Sequence, residues 1–158
     1  MGFNIAGIVV NKNYENEITE LGQKLGFNFS FEKEIIYEEA LGSWKDEDVC
    51  DIYFTSNGTI LFATMEMCAN EFYIDNQNVF SFCYSESSMA FGFNYTENAQ
   101  FQRSIVEYGG DIMDETGEPL PEEATSCTSE FIFDKISQVL GKDFLNIDLE
   151  SRAFRYSI

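Results

Sequence analysis

The chain contains no histidine, and that absence removes more chemistry than any other feature of the sequence. A Ser-His-Asp triad cannot form, nor can a Cys-His pair. Zinc sites that need imidazole and haem held by a proximal histidine are excluded as well. General acid–base work would fall to carboxylates, lysine, tyrosine or cysteine. Prolines number two and tryptophans one. The four cysteines, Cys50, Cys68, Cys83 and Cys127, lie too far apart in sequence for a zinc ribbon or a thioredoxin-like motif. Cys50 and Cys83 sit among aromatic and aliphatic residues, where a free thiol behaves as a small hydrophobe, so reduced thiols are expected.

Positive charge is scarce. Nine Lys and Arg face 28 Asp and Glu, for a formal net charge of −19. Such a surface repels nucleic-acid phosphates and anionic membranes, and attracts basic proteins and divalent cations. The plain reading is that the acidity keeps a phenylalanine-rich chain in solution. The sharper reading is a dedicated basic partner. No apolar run of about 18 residues is present, so no membrane span is expected. Met1-Gly2-Phe3-Asn4 lacks a basic n-region and leads into a short run ending at Val10, which reads as a strand and not as a signal peptide. Ala6 stands where a myristoylation motif requires Ser or Thr. A cytoplasmic location follows as the expectation.

What the chain does have is apolar and aromatic material. Hydrophobic residues make up 44%, with 16 Phe and eight Tyr, enough to build a sheet-rich core in one domain spanning residues 1–158. Phe3 to Val10 reads as a strand. Asn11 or Asn13 can cap a helix over Tyr14 to Leu25, where Ile18, Leu21 and Leu25 form one stripe and Gly26 a stop. Phe27, Phe29 and Phe31 alternate with polar residues as in a half-buried strand. Ser56-Asn57-Gly58 between two apolar runs is a hairpin signal that points to a type I′ turn. Phe80, Phe82 and Tyr84, then Phe91, Phe93 and Tyr95, alternate with small residues and predict a core-facing sheet surface. Whether Ser81, Cys83, Ser85 and Gly92 on the other face meet solvent or a helix stays open. The stretch around Phe101 to Glu107 has the mixed faces of an edge strand, and Gly109-Gly110 is expected to end the sheet run. A second helix is predicted over Glu130 to Leu140, stopped by Gly141, and the tail can return as a last strand near Phe154-Arg155-Tyr156. The sum is an α+β fold: an antiparallel sheet of meander and hairpins with about two packed helices.

The densest polar cluster is the segment DIMDETGEPLPEE, read as an acidic loop. Its candidate binding residues are Asp111, Asp114, Glu115, Glu118, Glu122 and Glu123. Hard cations such as calcium or magnesium need several converging carboxylate oxygens. The spacing does not match an EF-hand, and a solvated loop is the simpler reading. A catalytic carboxylate pair needs two acids facing across a cleft, which no spacing in the sequence identifies. Gly-rich phosphate loops are absent, and Ser87-Ser88 has no histidine to activate it. No cofactor is predicted, and no catalytic residue is assigned.

The stretch from Ser88-Met89-Ala90-Phe91-Gly92-Phe93-Asn94-Tyr95 to Glu118-Pro119-Leu120-Pro121-Glu122-Glu123 resembles a segment of certain uncharacterised small bacterial domain families. In them a strand pair ends in an E-x-G-E-P-L-P turn, here Glu115 to Pro121. The resemblance implies no activity, since those families have none to carry over. Small acidic bacterial proteins of similar character include immunity proteins that neutralise toxins, an analogy of class only. The resulting expectation is a non-catalytic, immunity- or inhibitor-like module for a basic protein. The alternative is a small-ligand or divalent-metal protein that uses residues 111–123.

Overall fold

The run Ile5-Ala6-Gly7-Ile8-Val9-Val10 has no polar alternation, so it is suited to a strand covered on both faces. The computed structural model, which describes residues 2–42 and 44–158, places it so. Strand β1 (Asn4–Val10) is the fifth of nine in one antiparallel sheet. From one edge, the order is β2 (Ser30–Ile36), β9 (Arg152–Ser157), β3 (Val49–Phe54), β4 (Thr59–Phe62), β1, β5 (Asn78–Ser85), β6 (Ala90–Glu97), β7 (Gln100–Tyr108) and β8 (Asp111–Gly117). The fold is α+β, with a β5–β8 meander making one half of an open sheet. Among the described residues four α-helices accompany it: α1 (Ile18–Leu25), α2 (Tyr37–Ala40), α3 (Met65–Cys68) and α4 (Thr128–Leu140). Only α1 and α4 exceed a single turn.

The period-2 pattern sorts the core into two clusters, one on each face of the sheet. On the first face Phe80, Phe82, Tyr84, Phe93 and Tyr95 pack beneath Phe131, Ile132 and Ile136 of α4. The Phe93 and Phe131 rings lie 5.0 Å apart and the Phe80 and Phe93 rings 5.3 Å apart. Truncating one such ring costs about 3–5 kcal/mol, because the transfer and cavity terms add. On the second face Ile8, Val10, Ile52 and Leu61 pack under Leu21 and Leu25 of α1 and Cys68 of α3. Gly26 and Gly141 stop α1 and α4 in the left-handed conformation, as the sequence predicts.

Several local expectations are corrected. Helix α1 starts at Ile18 and not at Tyr14. The Asn13 carboxamide instead accepts the Glu15 N–H at 2.7 Å and donates to the Thr55 carbonyl at 2.9 Å, while Tyr14 is fully buried. Phe27 and Phe29 precede β2 and pack on the second-face core, whereas Phe31 is exposed. The β3–β4 hairpin forms, but neither Asn57 nor Gly58 has positive φ, so its connection is not a type I′ turn. Gly58 serves a different need: a Cβ there would sit 2.4 Å from the Leu140 carbonyl oxygen, where the end of α4 presses on the hairpin. Positive φ at both central residues occurs instead at Asn98-Ala99, between β6 and β7, and at Gly109-Gly110. Gly109-Gly110 therefore does not end the sheet but turns β7 into β8, and β8 rather than β7 is the edge.

Candidate functional site

The segment read as an acidic loop is a strand over its first seven residues, β8, followed by a 3₁₀ turn at Pro121–Thr125. Its charges hid the strand: carboxylates occupy an edge that solvent reaches, where no apolar alternation is required. All seven β8 residues are exposed.

The strand splits the predicted acids between two sheet faces. Glu115, together with Glu123 of the 3₁₀ turn, converges on Arg103 of β7. The guanidinium donates to Glu115 Oε2 at 2.8 Å, to Glu123 Oε1 at 3.0 Å and to the Gly117 carbonyl at 2.8 Å. Arg103 is 3% exposed, and burial alone would lower its pKa, but the hydrogen bonds it donates to Glu123 and Glu115 outweigh that and raise it. Glu123 also accepts the Leu120 N–H at 2.7 Å and so closes the 3₁₀ turn. Glu122 lies 3.7 Å from Lys135 of α4, whose ammonium stands 4.2 Å over the Tyr95 ring and donates to Gln138. Glu122 is held below the usual carboxylate range, first by a backbone hydrogen bond, and burial lowers Lys135. Glu115, Glu122 and Glu123 are thus paired with cationic side chains. Asp111 and Glu118 stay exposed, and Asp114 faces the opposite side of the sheet from Glu115, across from Val106. Among the described residues, no three Cys, Asp or Glu side chains come together in a way that could hold a metal ion.

Asp114 lines a groove of about 380 Å³ on the second face of the sheet. The small residues of β5 and β6 explain how it forms. Ser81 Oγ donates to the Asn70 carbonyl at 2.7 Å, Asn94 Nδ2 to the Ala69 carbonyl at 3.1 Å and Thr96 Oγ1 to the Phe72 carbonyl at 2.6 Å. These bonds lash α3 and the segment after it across β5 and the near part of β6. Thr64 caps α3 by accepting the Met67 N–H. Beyond that segment the sheet face is bare. Met65 and Ala69 form one wall, Gly92, Ala90 and Ser104 the floor, and Val106 and Asp114 the far side. The small face has two kinds of surroundings: Ser81 and Ser85 are buried, while Cys83 and Gly92 border the groove. Burial pushes the Cys83 thiol up to about 11, which keeps it protonated and a poor nucleophile.

The groove is built by elements of the stretch of sequence where charge is most one-sided. Residues 46–134 contain 18 of the 28 acidic residues and a single basic one, Arg103, for a net charge of −17. The remainder has ten acidic and eight basic residues, for a net charge of −2. This segregation is legible in the sequence by counting charge along the chain. Counting over the whole chain misses it, as it misses Arg103. Beyond Arg103, whose guanidinium is engaged on the first face, no cation belongs to strands β5–β8. No protein-family model, no curated protein and no solved structure matches the chain.

Proposed function

We propose that this chain is a non-catalytic protein-binding module for a basic partner, of the immunity or inhibitor type, working in the cytoplasm. The observation that carries the reading is the charge segregation: almost all of the net charge of −19 belongs to residues 46–134, which include strands β5–β8 and the exposed edge strand β8. An excess of negative charge of this kind raises the rate of encounter with a cationic surface and disfavours phosphate-bearing partners such as nucleic acid. Arg103 within this stretch and Lys135 just beyond it are buried and paired with its carboxylates, while Asp111, Asp114 and Glu118 have no cation of the chain bound to them among the described ion pairs. Within the segment 111–123 these three are the carboxylates left to meet a partner.

The test is affinity capture from a lysate of the source cells at low salt, elution in steps to about 0.5 M salt and mass spectrometry of each fraction. A stoichiometric basic protein that leaves as salt rises is the expected result. The variant Asp111→Lys/Glu118→Lys should retain less of it. Recovery of acidic proteins only, or retention indifferent to salt, would overturn the reading.

A further inference from the structure

The basic-partner reading does not itself say where the partner docks, and the edge of β8, the whole acidic half and the groove are three different answers. We propose that the docking site is the groove between α3 and strands β6–β8, and that its occupant is an extended segment of the partner protein carrying Lys or Arg beside one apolar side chain. The proposal rests on the basic-partner reading and adds the place and the chemistry of contact.

Three observations support it. The groove has depth because its floor is built from Gly92, Ala90 and Ser104, and its volume of about 380 Å³ is in the range of clefts that enclose a ligand group. Its flanks are apolar and uncovered: Met65 and Val106 line it and are 43% and 48% exposed, and Tyr108 and Met89 continue the exposed apolar surface at the same end of β6 and β7. Methionine in such a position adapts to the shape of an incoming side chain. Charge complementarity then selects the occupant. Asp114 and Glu107 line the groove, Glu66 is exposed on the α3 wall and Asp111 follows the turn from Tyr108, whereas strands β5–β8 carry no cation besides the engaged Arg103. An apolar side chain on the floor with flanking Lys or Arg side chains against Asp114 and Asp111 satisfies both features. A second copy of this chain does not, because it would bring one acidic face against another.

The test is selection of a random heptapeptide library displayed on phage against the immobilised chain at about 0.15 M salt. Recovered peptides are then titrated against the wild-type chain and against Val106→Glu and Asp114→Lys. Both positions are exposed, and amide NMR spectra of the variants check that the fold is kept. The expected peptides carry Lys or Arg next to an apolar residue. Each variant should bind them at least about 10-fold more weakly, a loss readily read from a titration. Their amide shifts should cluster at Ala69, Cys83, Gly92, Asn94 and Val106. Basic peptides that bind both variants as tightly as wild type would overturn the groove as the site and leave the basic-partner reading standing. Peptides without Lys or Arg would overturn the proposed occupant. Recovery of no peptide would overturn the docking proposal, with the capture experiment then deciding the broader reading.

Discussion

Asp51 has no exposed surface, yet it sits among cations: Arg155 grips it with two hydrogen bonds of 2.8 and 2.9 Å, and Lys45 reaches it at 2.9 Å. The charge is tolerable inside the sheet only because both partners satisfy it. Asp51→Asn keeps the shape and removes the countercharge, so a loss of about 3 kcal/mol is expected in urea unfolding. A loss below about 1 kcal/mol would mean that water reaches Lys45 and Arg155 well enough to replace the carboxylate. Ala99 offers the opposite sign. Its φ of 57° is left-handed in a turn whose other central residue, Asn98, suits that region better. Ala99→Gly should stabilise the chain by about 1 kcal/mol, seen as a higher urea midpoint with an unchanged slope. Neither residue is visible for what it is in the sequence. Asp51 is one of 28 acids until β3 is paired with β9, and the two-residue turn is defined only by the register of β6 on β7.

At the scale of elements, Arg103 is the clamp of the sheet's outer edge. It holds β8 through Glu115 and Gly117, and the 3₁₀ turn through Glu123. Arg103→Ala leaves the largely buried Glu123 without its cation, and a loss of about 3 kcal/mol is expected. Hydrogen exchange should show where the loss falls: the β8 amides should exchange faster than in wild type, and those of β5 should not beyond the global change. Unchanged exchange in β8 would show that pairing with β7 alone holds the strand. Elements with an apolar period are legible in the sequence. The stripe of α4, the alternation of β5 and β6 and the return of β9 all follow from side chains that must face a core. Strand β8 is not, because an exposed edge has no buried face to write an alternating pattern, and Gly109-Gly110 can equally end a strand or turn it.

For the whole molecule, a net charge of −19 works against compactness as well as for solubility. Raising salt from about 0.01 to about 0.15 M shortens the screening length from about 30 to about 8 Å, and should raise the melting temperature. A flat or falling melting temperature would mean that the screened attractions, such as those at Asp51 and Arg103, outweigh the screened repulsions. The sequence by itself determined the class of the fold, since a surplus of alternating aromatics needs a sheet and two apolar stripes need helices to cover it. It also determined which chemistry is closed to the chain, because a missing histidine cannot be supplied by folding. Tertiary structure alone decided which acids are spent on cations of the same chain and which face outward. It alone made the groove, whose small floor and lashed wall come from segments that only strand pairing brings together. Charge balance and close packing act between residues distant in sequence, and no local pattern records them.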